Sequence, residues 1–331
     1  LGGDILWLAP TDVRRVLGYR VYLSTGLRAG QPRSLIGSEI AVGATQNFLP
    51  AESAMQTWTH VAVFTRSQLV EQTTPAGASI SDTSSSVSAM DFPDDDLDQF
   101  EIGGLLSWKN PSDFSEVIDY EVYLAEDSNG TNRSYLGNVS VGTNSFDVPA
   151  ETGLQSFSHL VVYTRSPLVE QSTPEALRII ETVASVSAIS FVDLDLDTDE
   201  LGGRLLWQEP ASTERVEFYV VYLALDSVGT GGEVPVGTQR TTLPTVNITA
   251  LDILYDTPRQ NFSHLVIYTR SSLAEQTTPV AAALSDTFAT VSNVTFADYD
   301  LDATDIGGPL TWDPPGDVSE VVTYIVYLAR A

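Results

Sequence analysis

Aspartates recur in short runs at three places in the chain, and their carboxylates are the groups best suited to chemistry. The runs are Asp94, Asp95, Asp96 and Asp98; then Asp193, Asp195, Asp197, Asp199 and Glu200; then Asp298, Asp300 and Asp302. In an extended segment alternate residues share a face, so the aspartates of the second run should line one side and Leu194 and Leu196 the other. Clustered carboxylates suit Ca²⁺, and the sequence predicts calcium there. A charged edge that resists aggregation or a solvated loop would also explain the runs.

The histidines do not support catalysis. The chain has three, His60, His159 and His264, and they fall at the same place in successive repeats. A catalytic triad needs a nucleophile and an orienting acid beside the histidine, and one histidine per repeat cannot form a multi-histidine metal site. Cysteine is absent, which excludes disulfides and thiolate ligands. We therefore do not expect an enzyme.

Asparagines point to modification with N-linked glycans. Six of the nine asparagines begin an Asn-X-Ser/Thr sequon, where chance among Ser/Thr-rich loops would give about two. The six are Asn129, Asn132, Asn138, Asn247, Asn261 and Asn293. This excess predicts a secreted or cell-surface glycoprotein.

The strongly negative net charge limits the classes of partner that the chain can bind. The net charge is -28 at pH 7, whereas nucleic-acid binding needs a basic surface. No apolar run is long enough to span a membrane as a helix. We therefore expect neither nucleic acid nor a membrane segment in this stretch.

The acidic runs belong to a repeat. A Gly-Gly pair followed by a tryptophan recurs about every 100 residues, a period that suits small domains, and the tryptophans are Trp7, Trp108, Trp207 and Trp312. Within one repeat, apolar and polar residues alternate in short segments separated by turn residues. The second repeat predicts seven strands, near residues 87–92, 104–109, 117–125, 135–140, 144–148, 157–165 and 176–182.

These motifs resemble those of fibronectin type III domains. Trp108 precedes Pro111, and a Tyr-X-Val pattern follows at Tyr120 and Val122, as in strands B and C of that family; the other repeats agree. The resemblance implies an all-β fold of tandem seven-stranded Greek-key β-sandwiches arranged as a rod, with each tryptophan buried against Tyr19, Tyr120, Tyr219 or Tyr324. The family's corner tyrosine on strand F is replaced by Trp58, Phe157 or Phe262.

By this register the chain contains three full or nearly full domains and one partial domain. Repeat 1 is 1–84 and lacks strand A, repeat 2 is 85–183, repeat 3 is 184–287, and repeat 4 is 288–331, with strands A to C. We therefore expect the native sequence to continue in both directions. The resemblance also places the acidic A–B loops at the junctions between domains.

Two further features leave alternatives open. Arg66, Arg165 and Arg270 end strand F, and each could pair with an acidic A–B loop or with a glutamate of its own following loop. On strand F, His159 and Tyr163 share a face with Tyr123 of strand C. That face is either an aromatic packing row or a contact surface for a neighbouring chain or glycans.

The function that these observations favour is structural or adhesive. Near-identical repeats that contact mainly their neighbours are typical of fibres, so we expect a segment of a long extracellular filament at the cell surface, bound to copies of itself or to other surface proteins. The alternative is a receptor ectodomain or a carbohydrate-binding accessory module, since fold alone does not decide function.

Overall fold

A computed structural model describes residues 1–82, 84–230, 232–240 and 250–329. Every regular element in these residues is a β-strand, and no helix in them is long and apolar enough to cross a membrane. The chain divides into two compact units. One is Leu1–Asp91, Leu106–Phe146 and Ser156–Ile179; the other is Phe92–Leu105, Asp147–Gln155 and Ile180–Ala331.

Repeat 1 has seven strands in two sheets. They are β1 (Gly3–Leu6), β2 (Gly18–Ser24), β3 (Arg33–Leu35), β4 (Ile40–Ala41), β5 (Gln46–Leu49), β6 (His60–Arg66) and β7 (Ala76–Ser79). The sheets have the orders β1-β5 and β3-β2-β6-β7, with β4 also paired to β2.

Repeat 2 confirms the seven predicted strands. They are β8 (Ser88–Asp91), β9 (Glu101–Lys109), β10 (Asp119–Ala125), β11 (Ser134–Ser140), β12 (Ser145–Gly153), β13 (His159–Arg165) and β14 (Glu175–Arg178). The sheet orders are β12-β9-β8 and β11-β10-β13-β14. Strand A therefore pairs with strand B, and strand C pairs with strand F.

Repeat 3 has the same architecture. Its strands are β15 (Ser187–Phe191), β16 (Glu200–Gln208), β17 (Phe218–Ala224), β18 (Glu233–Arg240), β19 (Ala250–Pro258), β20 (His264–Arg270) and β21 (Val280–Ala283). The sheet orders are β15-β16-β19 and β18-β17-β20-β21. All pairings recorded in this repeat are antiparallel.

Strand B begins earlier than the sequence predicted, because its Gly-Gly pair lies inside the strand. Gly104 has φ +141, and a Cβ atom there would lie 2.5 Å from the carbonyl oxygen of Pro93. Gly203 has φ +149 and would meet Val192 at the same distance. The glycine therefore lets the start of the A–B loop lie directly against strand B, which explains why the pair recurs.

The tryptophan–tyrosine core is confirmed in repeats 2 and 3. Trp108 and Trp207 are buried, and each packs edge-on against its strand C tyrosine, Tyr120 or Tyr219, with ring centroids 5.5 Å apart. Trp7 and Trp312 make the same contact at 5.4 and 5.6 Å but are only partly buried.

Among the described residues of repeat 4 the strands are β22 (Ser292–Phe296) and β23 (Leu310–Asp313), which pair with each other. The prediction of a strand C here was wrong for the described residues, because 314–329 form no strand. In the other repeats strand C pairs with strands C′ and F, and neither is present among the described residues of repeat 4. The proposed domain boundaries fall between β7 and β8, β14 and β15, and β21 and β22, and stay predictions.

Candidate metal centre and domain junction

The first aspartate of each A–B loop binds three backbone N–H groups in repeats 2 and 3. Asp94 Oδ1 accepts from the amides of Asp96 (3.3 Å) and Gly103 (3.0 Å), and Oδ2 accepts from Thr182 (2.7 Å). Asp193 repeats this pattern with Asp195 (3.2 Å), Gly202 (2.9 Å) and Thr287 (3.0 Å). The residue thus ties the loop to strand B and to the segment after strand G.

The second aspartate ties the loop to strand E. Asp96 Oδ1 accepts from the amide of Asp98 (3.0 Å), and Oδ2 accepts from the amide of Glu151 (2.7 Å). Asp195 does the same with Asp197 (3.0 Å) and Asp256 (2.8 Å). Both strand E acids, Glu151 and Asp256, have φ of 61°, a left-handed conformation that is uncommon for a non-glycine residue and that presents the N–H to the aspartate.

The third aspartate of repeat 2 reaches repeat 3, and all the residues concerned lie in the second unit. Asp98 Oδ2 accepts from the amide of Thr277 (2.6 Å), and Oδ1 accepts from that of Thr278 (3.1 Å). Leu97 precedes it, is 2% exposed, and belongs to the hydrophobic core of repeat 3. The A–B loop of repeat 2 therefore supplies both a core side chain and an acceptor pair to the next repeat.

Two further contacts complete this junction. Gln276 Nε2 donates to the Leu97 carbonyl oxygen (2.7 Å), and Ser271 Oγ donates to the Asp95 carbonyl oxygen (2.6 Å). Arg215 approaches the Asp95 carboxylate at 3.5 Å. The junction between repeats 2 and 3 is thus a hydrogen-bonded seam around one apolar anchor.

The aspartates face inward, so a solvated loop does not describe repeats 2 and 3. Asp94, Asp96, Asp98, Asp193 and Asp195 are buried, whereas Leu194 is 55% exposed. Burial raises the pKa of Asp94 to about 6, against the three N–H bonds that lower it. The cost of burying each charge is offset by backbone donors. Asp197 and Asp199 at the end of the repeat 3 run are exposed, and so is the whole repeat 4 run of Asp298, Asp300 and Asp302.

The structure gathers four carboxylates in each of two repeats. One group is Asp96, Asp98, Glu101 and Glu151, and the other is Asp195, Asp197, Glu200 and Asp256; in each group one oxygen per residue lies within 4.8 Å of the others. Desolvation, a hydrogen bond with Glu101 and nearby aspartates raise the pKa of Glu151 to about 7. Desolvation and the neighbouring aspartates also raise the pKa of Glu200.

These groups differ from the set that the sequence predicted. Asp94, Asp95, Asp193 and Asp199 lie outside them, as do Asp298, Asp300 and Asp302. Sequence reasoning missed Glu101, Glu151 and Asp256. Alignment of the repeats contains the signal, because Glu101 occupies the position of Glu200 before the Gly-Gly pair.

The sequon asparagines that the structure describes are all exposed: Asn129, Asn132, Asn138, Asn261 and Asn293. Asn132 donates to Glu126 (2.8 Å) and Asn293 to Asp313 (2.6 Å), so these two side-chain amides are engaged. Asn247 lies outside the described residues.

Two of the strand F arginines, Arg66 and Arg165, form ion pairs with residues on or beside strands C and C′. Arg165 binds Asp119 and Glu121 on β10, and Arg66 binds Glu39 beside β4. The expectation that they pair with an A–B loop or through their side chains with their own loop glutamate was wrong there. The histidine contact is local, since His159 Nδ1 lies 2.8 Å from the hydroxyl of the preceding Ser158.

The strand orders and the recurring tryptophan–tyrosine core define a tandem array of fibronectin type III-like β-sandwiches. No family model matches the chain, and no curated protein matches it. It is similar to the FN1-FN3 domains of chicken CNTN1, with 13% identity over 86% of this chain and 93% of that chain and a TM-score of 0.27.

Two other solved structures are similar in the same way. The central fibronectin-III array of RIM-binding protein is 16% identical over 86% of this chain and 92% of that chain, with a TM-score of 0.21. Domains A168-A170 from titin are 11% identical over 85% and 98%, with a TM-score of 0.23. These likenesses concern the fold alone.

Proposed function

We propose that this chain is a structural or adhesive segment of an extracellular filament at the cell surface. The observation that carries the proposal is the seam between repeats 2 and 3, where Leu97 enters the next core and Asp98 binds the next F–G loop. A buried connection of this kind joins consecutive repeats mechanically as well as covalently. The exposed sequons support the extracellular location.

Imaging and mass analysis of the native material test this proposal. Negative-stain images should show long filaments at the cell surface, and a receptor ectodomain would instead give isolated short particles. Intact mass should fall after glycosidase treatment if the exposed sequons carry glycans. An unchanged mass together with isolated particles would contradict both the location and the filament.

We also propose that each of the two four-carboxylate clusters, one in repeat 2 and one in repeat 3, binds Ca²⁺. Four carboxylates with one oxygen each within 4.8 Å suit a cation that takes six to eight oxygen ligands. The pKa of Glu151 is raised by burial first, then by a hydrogen bond with Glu101 and by the neighbouring carboxylates, and a cation would relieve the repulsion among these carboxylates. Isothermal titration with Ca²⁺ tests this, with the double substitution E151Q and D256N as the variant. D302N is the matched control, because Asp302 lies outside both groups. Identical titrations for the wild type and E151Q/D256N would contradict a calcium site.

A further inference from the structure

An aromatic corner on the outer face of the larger sheet holds an arginine in repeat 1. We define this corner as the strand C tyrosine, the strand F aromatic residue and the F–G loop glutamate. Tyr22 and Phe64 stand edge-on at 5.5 Å between ring centroids, and the guanidinium of Arg33 lies 4.4 Å from both centroids. The same guanidinium binds Glu71 at 2.6 Å, and the Tyr22 hydroxyl donates to Glu71 at 2.9 Å.

The corner of repeat 2 is built in the same way. Tyr123 and Tyr163 stand edge-on at 5.5 Å, and the guanidinium of Arg133 lies 4.3 and 4.2 Å from their centroids. Arg133 binds Glu170 at 2.6 Å, and the Tyr123 hydroxyl donates to Glu170 at 2.6 Å. Two repeats thus place one planar cation between two ring faces and one carboxylate, and in repeat 1 a second guanidinium, that of Arg20, also approaches Glu71 at 3.6 Å.

Repeat 3 keeps the corner and replaces the arginine with an acid. Tyr222 and Tyr268 stand edge-on at 5.7 Å, at an interplanar angle of 83° against 84° in repeat 2. The Tyr222 hydroxyl donates to Glu275 at 3.1 Å, as its counterparts do. Glu233 stands where repeats 1 and 2 carry the arginine, and it accepts a hydrogen bond from Tyr268 at 2.7 Å.

The corner of repeat 3 therefore carries two carboxylates, and among the described residues no arginine lies over its two rings as Arg33 and Arg133 do in repeats 1 and 2. Arg270 does not stack on the two corner rings: its guanidinium lies 4.8 Å from the ring of Phe218, although its charge reaches Tyr222 and lowers that pKa slightly against the larger raising effects. Burial and the two glutamates raise the pKa of Tyr222 to about 12 and that of Tyr268 further. Tyr222, Glu233 and Glu275 are half-buried, so the corner is reachable from solvent.

We propose that the corner formed by Tyr222, Tyr268, Glu233 and Glu275 binds an arginine side chain of a partner chain. In repeats 1 and 2 the chain's own arginine shows which ligand this geometry accepts. A planar guanidinium stacks on aromatic faces and binds carboxylates through paired N–H groups, which the compact ammonium of lysine does not do. With two carboxylates, the repeat 3 corner is more attractive to an incoming cation than either filled corner.

A short peptide with one arginine, acetyl-Gly-Arg-Gly-amide, is the probe, and ring-labelled tyrosine NMR on the full chain is the readout. We expect saturable shifts of the Tyr222 and Tyr268 signals. The same peptide with citrulline, which is neutral but nearly isosteric, should bind at least tenfold more weakly. Absence of shifts with the arginine peptide at millimolar concentration, or equal binding of both peptides, would overturn the proposal.

Two substitutions exchange the filled and unfilled corners. E233R should supply the missing guanidinium in cis and abolish peptide binding at repeat 3. R133E should produce an unfilled corner in repeat 2, so that shifts appear at Tyr123 and Tyr163 as a second site. Peptide binding that persists at repeat 3 in E233R would contradict the proposal. An R133E variant that still binds the peptide at repeat 3 but shows no peptide-induced shifts at Tyr123 and Tyr163 would contradict it as well.

Discussion

The A–B loops of repeats 2 and 4 have the same aspartate pattern and nearly the same local hydrogen bonds. In repeat 4, Asp298 accepts from the amides of Asp300 and Gly307 at 3.0 Å, as Asp94 does from Asp96 and Gly103. Their environments are opposite, since Leu97 is 2% exposed and its counterpart Leu301 is 97% exposed. The aspartate pattern therefore suffices for the local hydrogen bonds of the loop, whereas the burial of Leu97 comes from the core of the next repeat.

The A–B loop of repeat 3 is partly buried, and it shows which contacts come from its own repeat and which come from the next repeat. Asp193 and Asp195 are buried by strands B and E and the segment after strand G of their own repeat, as Asp94 and Asp96 are. Asp197 is exposed, whereas its counterpart Asp98 binds Thr277 and Thr278 of the next repeat. Asp94 and Asp96 thus serve their own domain, whereas Asp98, together with Asp95, serves the junction.

The largest expected effect comes from Leu97→Ala. Removing a buried leucine from a core costs about 2–5 kcal/mol, and here the core that is weakened belongs to repeat 3. Hydrogen exchange by mass spectrometry should show faster exchange in peptides from repeat 3. Leu301→Ala, the matched substitution at the exposed counterpart, should change nothing. Equal effects of the two substitutions would contradict the anchoring role of Leu97.

The next effect comes from Asp98→Asn. The amide keeps one acceptor for Thr277 or Thr278 but directs two donors at the other N–H, and leaving a buried group unsatisfied costs about 1–3 kcal/mol. We expect the amides of Thr277 and Thr278 to exchange faster while strands β16 and β17 stay protected. The control is Asp302→Asn at the exposed counterpart. Unchanged protection at Thr277 would show that this hydrogen bond does not hold the junction.

The sequence alone was sufficient for the repeat, the strands and the Trp108–Tyr120 core, because these depend on alternation within one domain. It was not sufficient for the orientation of the aspartates. Period-two alternation places Asp193 and Asp195 on one face but does not say which face is buried, and hydrophobicity favours Leu194, which is the exposed residue. Backbone N–H groups reverse this choice, and they come from residues distant in sequence, namely Thr287 for Asp193 and Asp256 for Asp195.

The pH dependence of folding stability tests whether Glu151 has a raised pKa within the four-carboxylate cluster of repeat 2. An unfolded glutamate has a pKa near 4.3, and in the folded chain the pKa is about 7. Between these values the folded state holds a proton that the unfolded state has released, so stability falls as pH rises from about 4 to about 7. Asp94, whose pKa is raised to about 6, adds to the fall in the lower part of this range.

Glu151→Gln removes the larger share of this dependence. We expect its melting temperature, followed between pH 4 and 7.5 without divalent ions, to fall less steeply than that of the wild type. Saturating Ca²⁺ should flatten the wild-type profile, because a bound cation favours the ionised carboxylates. Parallel profiles for the two proteins would show that Glu151 titrates near its ordinary pKa and that the carboxylates do not repel one another in the folded chain.

The smallest effect concerns the strand A bulge, where repeats 2 and 4 differ again. Ala89 has φ +49 and Asn293 has φ +51, and both lie in a register shift between strands A and B. A left-handed residue with a Cβ atom costs roughly 1–2 kcal/mol, which asparagine escapes in part. Ala89→Asn should therefore stabilise repeat 2 by about 0.5–1 kcal/mol, and Ala89→Gly should give less because glycine also loosens the unfolded chain.

Since Met90 and Asp91 follow, the Ala89→Asn substitution creates no sequon, and urea unfolding measured on Trp108 fluorescence reports the change. If Ala89→Asn lowers the unfolding midpoint, the bulge is held by contacts of the alanine methyl group, and the two repeats differ in packing as well as in backbone strain.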